Sequence, residues 1–500
     1  MKSWYRRSSI AAESRESVEK GRTDPKGWSL SDPVVDLSPT VRLRLRDLCD
    51  GIGIFGGNGS GKSSTSARLI FESLLSRGAG ALFLTVKDSD PADYVALAHS
   101  VGRGRDVIRV TPGGAHRINV VEVAANQGGT ENVVKMLSVA MSIVEGARAA
   151  SGSTDPIWDR ARDALTRNLC DLLLAAGLPL TLENMARVLD SAPTDTAELH
   201  ALFAAADRGE HVTGPGGQVS DFWRCYLQAS ANYRRGVPGI DPNSARATVR
   251  YWTEEYPKLP ERTRGSVRFG FDAMVGALTR GEIADLCTTE TTLPLSVLRD
   301  GKIVILDLPV RRDGEAARIA QAIIKFLVQN ELEREAIDAA SNVRPVLIGI
   351  DEAQEFLSSA DVAFQATARG ARACTVLITQ SVAGMRAKLG RDGAEQILGV
   401  LGTKIVHACD GETASWIADL IGQDWSFSPT VSDRGGVSLS QGKRHLVEPI
   451  ALSRLARGGP EFGHCAEAYI FKPGARWGRR KRNFACVALQ QKGQNGHVVC

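Results

Sequence analysis

The 500-residue chain has no stretch of about 18 uninterrupted apolar residues, the length a helix needs to cross a bilayer. Its first residues, MKSWYRRSSIAAESRESVEKGRTDPKGW, contain no apolar run long enough for a signal peptide. These two lacks give the expectation of a cytoplasmic protein with no intrinsic membrane span, recruited to the inner membrane by a partner if it works there. Metal-knuckle chemistry is also missing. The nine cysteines form no C-x-x-C pair, and no histidine stands at ligand spacing from them. Scattered in this way they read as reduced, mostly buried thiols, and the adjacent His464 and Cys465 read as chance neighbours. Charge of one sign does not dominate: 61 Lys and Arg against 57 Asp and Glu leave a net +4. A polyanion partner therefore has to be argued from local patches. No internal repeat or low-complexity tract is present. What remains, 43% hydrophobic and 24% charged residues, is an ordinary globular composition, and the length calls for two or three structural units of about 100–200 residues each.

The most informative segment reads IFGGNGSGKSS, residues 54–64. Gly56, Gly57, Asn58, Gly59, Ser60, Gly61, Lys62, Ser63 and Ser64 fit G-x-x-x-x-G-K-[ST], with an apolar strand before and a helix pattern over about 62–77 after, closed by Gly78. Glycines at these places let successive backbone N–H groups turn inward around phosphate oxygens, and the helix adds its positive end. Lys62 would neutralise phosphate charge and Ser63 would ligate Mg²⁺, which makes ATP and Mg²⁺ the expected cofactors. About 290 residues on, PVLIGIDEAQEFL runs from an apolar strand straight into Asp351 and Glu352. An open α/β sheet places its ligands at such a C-terminal strand tip. Asp351 would hold the metal through water, and Glu352 would act as general base on the attacking water.

In ARGARACTVLITQS a strand over 375–379 delivers Gln380 to the same edge, as a γ-phosphate sensor or water-orienting residue. Arg369 and Arg372 precede that strand, and an arginine reaching a neighbouring subunit's nucleotide can accelerate hydrolysis by roughly 10³–10⁵. Two basic stretches remain. VRLRLRD alternates Val41, Leu43 and Leu45 with Arg42, Arg44 and Arg46, a strand with one buried and one basic face that reads as a charge-protected edge. GARWGRRKRNF sets Arg476 beside Trp477 and 479–482 between Trp477 and Phe484, a mixture of charge and ring faces suited to nucleic acid. VSLSQGKR at 437–444 imitates a transporter-ATPase signature but follows Asp351 and Glu352 instead of preceding them, and is set aside.

Strands alternate with helices from 41 to about 129 and again from 261 to 484, which implies a parallel sheet covered on both faces. Between them, 130–260 shows helical periodicity without buried strands. The expectation is an α/β domain in two parts (41–129 and 261–484), interrupted by an all-α inserted domain (130–260), with a flexible arm at 1–40 and a tail at 485–500.

Beyond these motifs the chain resembles the conjugative coupling proteins of type IV secretion (TraG/TraD-like), within the FtsK/HerA superfamily of DNA-pumping ATPases. LFLTVKDSDPADY is similar to the family's strand ending in an Asp-Pro-Lys-Gly-like turn, here altered around Lys87, Asp88, Ser89, Asp90 and Pro91. HRINVVE is similar to its Asn-Pro-Leu segment with Val120 in place of the proline, and ERTRGSVRFGFDAMVGAL to the segment leaving the helical insertion. ARGARACTVLITQS and LGTKIVHACDGETASWIADLIGQDWS carry the rest, the most specific parts lying at 346–381 and 402–423. The likeness implies a RecA-like P-loop NTPase domain, a hexamer in the family's manner, ringed around DNA with nucleotide at the interfaces, and Arg369 in preference to Arg372 as the arginine acting in trans. It also implies an ATP-driven DNA translocase delivering DNA or nucleoprotein to a secretion apparatus, with secretion-channel or relaxase-like protein partners. The paired membrane helices that begin many coupling proteins are not in this sequence. Two other readings fit the same residues: a soluble HerA-like ATPase of DNA repair or phage defence, and a nucleotide-switched assembly platform for protein partners.

Overall fold

The computed structural model describes residues 27–146, 156–208, 220–338, 343–431 and 437–492. Among them the chain forms two units: unit 1 is built from the segments up to Arg109, Leu295–Arg312 and Leu332 onward, and unit 2 from Val110–Pro294 and Asp313–Glu331.

Unit 1 is organised by strands β1 (Pro33–Ser38), β2 (Val41–Arg44), β3 (Ile52–Phe55), β4 (Gly80–Leu84), β5 (Val107–Val110), β6 (Ile303–Leu306), β7 (Val346–Ile350), β8 (Ala373–Thr379), β9 (Thr403–His407), β10 (Gln423–Val431), β11 (Val437–His445), β12 (Cys465–Phe471) and β13 (Phe484–Gln490). Nine of these make one sheet in the order β13-β12-β9-β3-β8-β7-β4-β6-β5. From β9 through β3, β8, β7 and β4 to β6 every pairing is parallel, whereas β12 runs antiparallel to both β9 and β13. The central strands IGIF, GALFL, VLIGI and ACTVLIT are buried at every position, as expected where helices cover both faces. Packing at the centre is close: a Cβ on Gly349 would stand 2.7 Å from the Phe83 ring, so only glycine lets that aromatic lie across β7. The sheet is the α/β, mostly parallel arrangement expected from the sequence.

Unit 2 contains helices Val120–Glu145, Pro156–Ala176, Leu182–Asp190, Thr196–Asp207, Asp221–Arg234, Pro242–Arg250, Glu261–Leu278 and Gly281–Thr288. Several start on side-chain caps of the expected kind: Asn119, Thr181, Ser220 and Asp241 each accept a backbone N–H three residues on.

The unit boundaries differ from those read along the sequence. Glu261–Leu278 buries Val267, Phe271, Val275 and Leu278, and it belongs to the helical unit and not to the sheet. The stretch taken as an arm up to 40 contains β1, whose Val35 and Leu37 are buried in the core of unit 1. The rest of that arm, 1–26, lies outside the described residues. The stretch taken as a tail from 485 supplies β13, held along its length by β12, and 493–500 lies outside the described residues. β1 is short and half polar, and β13 is a seven-residue edge strand at the far end of the sheet, so neither announces itself as a central strand would.

Candidate active site

In a parallel sheet all C-terminal strand tips fall on one edge, and here that edge gathers the chemistry. Phe55 of β3 is in register with Thr379 of β8, Ile350 of β7 with Leu377 of β8, and Leu84 of β4 with Ile350. The loop from Gly56 to Gly61, the pair Asp351–Glu352, Gln380 and Lys87 therefore leave neighbouring strands side by side.

The loop after β3 turns on Gly59 and Gly61, both at positive φ. A Cβ on Gly61 would come within 2.7 Å of the Ala466 methyl and 3.3 Å of the Arg457 carbonyl, so conformation and space both demand glycine there. The chain then enters one π-helical turn, Ser63–Ala67, and the helix Arg68–Ser76. Thr65 N–H and hydroxyl both donate to the Gly61 carbonyl, the latter at 2.6 Å. Ser60 Oγ is buried with no hydrogen-bond partner among the described residues.

Lys62 is 8% exposed, and its Nζ donates to the carbonyls of Gly56 (2.6 Å) and Gly57 (3.0 Å). Burial pushes its ammonium pKa down, against the upward pull of Asp351 and Glu352. Ser63 Oγ donates to Asp351 Oδ2 at 3.4 Å, which brings together two residues 288 positions apart. Asp351 and Glu352 are both buried, and Glu352 takes a left-handed backbone conformation, φ 48° and ψ 51°, a strained choice for a non-glycine residue that recurs at functional sites. Its carboxylate is fixed at both oxygens: Gln380 Nε2 donates to Oε1 at 2.7 Å and Gln354 Nε2 to Oε2 at 3.0 Å. Thr379 Oγ1 in turn donates to Gln354 Oε1 at 2.8 Å, so β8 orients the carboxylate through two routes.

Sequence reasoning missed Lys87 as a site residue. Its Nζ lies 3.2 Å from Asp351 Oδ2 and 3.8 Å from Glu352 Oε1. Burial works against the Lys87 charge, but Asp351, Asp90 and Glu352 outweigh it and raise the pKa. The signal was available: Lys87 follows β4 as Asp351 follows β7, and adjacent parallel strands end at one edge. Also unread were Gln491, whose Nε2 donates to Ser64 Oγ at 2.9 Å, and Lys492, which pairs with Glu72 at 2.6 Å; both tie the end of the described chain to the helix behind the loop.

Arg369 is not at this edge. It stands before the N-terminal end of β8, 62% exposed at its side chain and 3.6 Å from Asp50, where the sheet's opposite edge lies. Arg372, also before β8, has a left-handed backbone.

The residues present fit a magnesium nucleotide. A hydroxyl and a carboxylate converge as oxygen donors, which a hard cation takes; the loop offers turned backbone and a buried lysine, and a cavity of about 270 Å³ opens beside Ser63, Asp351 and Tyr94.

Comparison with solved structures decides the fold. The chain matches the bacterial conjugative coupling protein TrwBdeltaN70 in an unbound monoclinic form over 96% of its own length and 93% of the other, with TM-score 0.59 and 15% identity. This is the fold of the conjugative coupling proteins. The plasmid coupling protein TrwB in complex with ADP and Mg²⁺ matches at TM-score 0.56 and 14% identity over 95% of this chain and 91% of that one. TrwB with the non-hydrolysable ATP analogue ADPNP matches at TM-score 0.57 and 14% identity with the same coverage. Residues 345–457 match the family model described as the TraM recognition site of TraD and TraG, and both stretches that carried the coupling-protein likeness most specifically, 346–381 and 402–423, fall inside that span. No curated protein sequence matches the chain. Among the described residues no helix is long and apolar enough to cross a membrane.

Proposed function

We propose that the chain is an ATP-driven DNA translocase, a ring-forming coupling ATPase that delivers DNA or nucleoprotein to a conjugative secretion apparatus. The observation that carries this reading is the convergence of Lys62, Ser63, Asp351 and Glu352 at one edge of a sheet with the coupling-protein fold. Backbone N–H groups of 56–61 and Lys62 would hold the β and γ phosphates. Ser63 and Asp351 would hold magnesium, which when bound neutralises charge on the phosphate oxygens. Glu352, kept in place by Gln380 and Gln354, would take the proton of the attacking water. Gln380 donates to Glu352 Oε1 and follows β8, the neighbour of the strand that carries the loop, which suits it to report whether the γ-phosphate is present.

Arg369 would act across a subunit boundary: it lies at the opposite edge from its own loop, so a role in hydrolysis requires a neighbour's nucleotide. Assembly as a hexamer, DNA in its channel, relaxase-like partners and recruitment to the inner membrane belong to the same proposal, supported by the fold and by the match to a recognition region at 345–457. The test is ATP turnover by the purified ring with and without single- and double-stranded DNA. Stimulation by DNA is expected; hydrolysis indifferent to either form would remove the translocase reading.

A further inference from the structure

Among the described residues, every large apolar side chain that unit 1 exposes lies between Leu420 and Phe462. The centre of that stretch is the hairpin of β10 and β11, a two-stranded sheet of its own. Trp425, Phe427 and Leu439 are 58%, 63% and 70% exposed. Trp425 and Phe427 stand two residues apart, and Leu439 pairs across the ladder with Pro429, two residues further along β10. Register therefore puts all three on one face, and the intervening Asp424 and Ser426 on the other. This is the alternation of a strand with one buried face, yet no described residue of unit 1 covers that face. Leu420, Leu446 and Ile450, which flank the hairpin in sequence, are exposed too.

A two-stranded ribbon is marginal in water by itself, so an apolar face left open on one calls for a partner. The base is anchored: Leu446 N–H donates to the Gly422 carbonyl at 3.0 Å, and His445 Nε2 lies 2.9 Å from Asp419 Oδ1. Beyond it, two strands of nine residues each reach about 30 Å and span about 10 Å across. A face of roughly 300 Å² falls well short of the about 800 Å² that each side of a stable interface supplies. The hairpin is sized as an arm of a larger contact and not as a complete one.

Its place in unit 1 says which contact. The helix Gly411–Ile421 starts just after β9, where the Ala408 carbonyl accepts the Gly57 N–H. Thr413, Ala414, Ile417, Ala418 and Ile421 are buried along its whole length, so it lies back over the sheet. Its 11 residues carry the chain about 16 Å, as far as β9 rises. The hairpin thus springs from the end of the sheet where Arg369 stands before β8, and β8 is two places from β9. At the nucleotide edge the exposed large apolar side chain is Phe462. Its N–H donates to the Gly459 carbonyl at 3.1 Å, and Gly459 N–H donates to Oε1 of Gln491, whose amide holds Ser64. An apolar arm at one edge and an apolar ring at the other are not the single self-complementary patch of a two-fold dimer. They suit a head-to-tail contact between copies, the kind that closes a ring when repeated.

We propose that the hairpin of β10 and β11 is an intersubunit arm, docking through Trp425, Phe427 and Leu439 on the nucleotide edge of the next copy of this chain, around Phe462 there. The proposal rests on the ring reading and deepens it, because the arm leaves from the same end as Arg369 and is directed at the same neighbour. Docking of the arm would hold that arginine against the neighbour's nucleotide.

The experiment is sedimentation velocity of the full chain with Mg²⁺ and ADPNP over a concentration series, comparing wild type with Trp425→Ser/Phe427→Ser/Leu439→Ser. All three side chains are exposed, so the variant should fold, and each chain should still bind ADPNP, because Lys62 and Ser63 belong to its own loop. The concentration at half assembly should rise about 10-fold or more. Turnover per chain should fall where the variant is dissociated and return towards wild type where high concentration forces assembly. In a second arm of the test, Phe427→p-benzoylphenylalanine is irradiated, and the crosslinks should join two chains and map near Phe462 of the second. If wild type assembles and the serine variant assembles equally well, the arm is not an interface while the ring reading stands. If wild type stays monomeric with ADPNP and Mg²⁺ at every concentration, both fall together. Crosslinks confined to one chain, or joining hairpin to hairpin, would overturn the proposal. So would intact rings of the serine variant that have lost only stimulation by DNA, which would make the hairpin a nucleic-acid contact.

Discussion

Three side chains at the proposed nucleotide edge each have an expected signature on removal. Lys62 is buried against loop carbonyls, so Lys62→Ala should abolish nucleotide binding, read by calorimetry with an ATP analogue. Glu352→Gln keeps the shape but removes the carboxylate, and one of the two amide hydrogen bonds from Gln380 and Gln354 is lost with it; binding should persist while turnover falls about 10²–10⁴-fold, and normal turnover would remove Glu352 from the proposed role of base. Lys87 is the less obvious case. It is the nearest cation to both carboxylates, though 38% exposed at its side chain, so its net worth is on the order of 1 kcal/mol. Lys87→Ala should lower the melting temperature by about 2–4 °C without nucleotide, and magnesium with an ATP analogue should recover much of that deficit because a second cation then meets Asp351. An equal deficit with and without them would show that Lys87 contributes only packing. Lys62, Ser63, Asp351 and Glu352 were legible in sequence because each sits at a fixed step from an apolar strand. Gln354 and Gln491 were not, because their roles depend on where a turn brings an amide, which no local pattern records; Lys87 follows an apolar strand too, but its role depends also on which strands become neighbours.

At the scale of elements, His407 shows how one buried group couples β9 to the helix behind the loop. Its Nε2 meets Ser66 Oγ at 2.8 Å, and burial, helped by the charge of Lys62, pushes its pKa down to about 3. The unfolded chain would protonate this ring near the ordinary value of about 6.5. At neutral pH the ring is uncharged in both states and adds no pH dependence. As pH falls from 6.5 towards 3 the unfolded state binds the proton first, and stability is lost at roughly 1.4 kcal/mol per pH unit. His407→Gln should flatten that slope, measured as urea midpoints at pH 7 and pH 5; an unchanged difference between the two would place the acid sensitivity elsewhere. The fold itself was largely readable, since β3, β4, β6, β7, β8 and β9 are apolar runs that fully buried parallel strands require. The hairpin of β10 and β11 escaped, although Trp425 and Phe427 alternate with serines. Both rings are exposed, so the alternation marks an outward face and not a core, and the transporter-like VSLSQGKR turns out to be the strand β11 paired along β10.

The whole molecule raises the question of what a lone subunit lacks. Its loop and the residues proposed to hold magnesium and to act as base, Ser63, Asp351 and Glu352, lie at one edge of the sheet, and Arg369 lies at the other, beside Asp50; within a single chain the arginine does not reach the phosphates that Lys62 would hold. If it completes the site, it does so in a neighbour. Two inactive chains then become informative together. Lys62→Ala spoils its own loop but still carries Arg369, and Arg369→Ala keeps its loop but cannot serve the next one. Mixed in equal amounts and exchanged at random, about a quarter of the interfaces would join an intact loop to an intact arginine, and those sites should recover the roughly 10³–10⁵-fold acceleration that a trans arginine supplies. Turnover in the mixture should therefore rise well above the mean of the two separate preparations, and should do so only under conditions in which rings exchange subunits. A mixture that stays at the mean while exchange is demonstrated would confine Arg369 to its own surface and leave hydrolysis to the residues of a single chain.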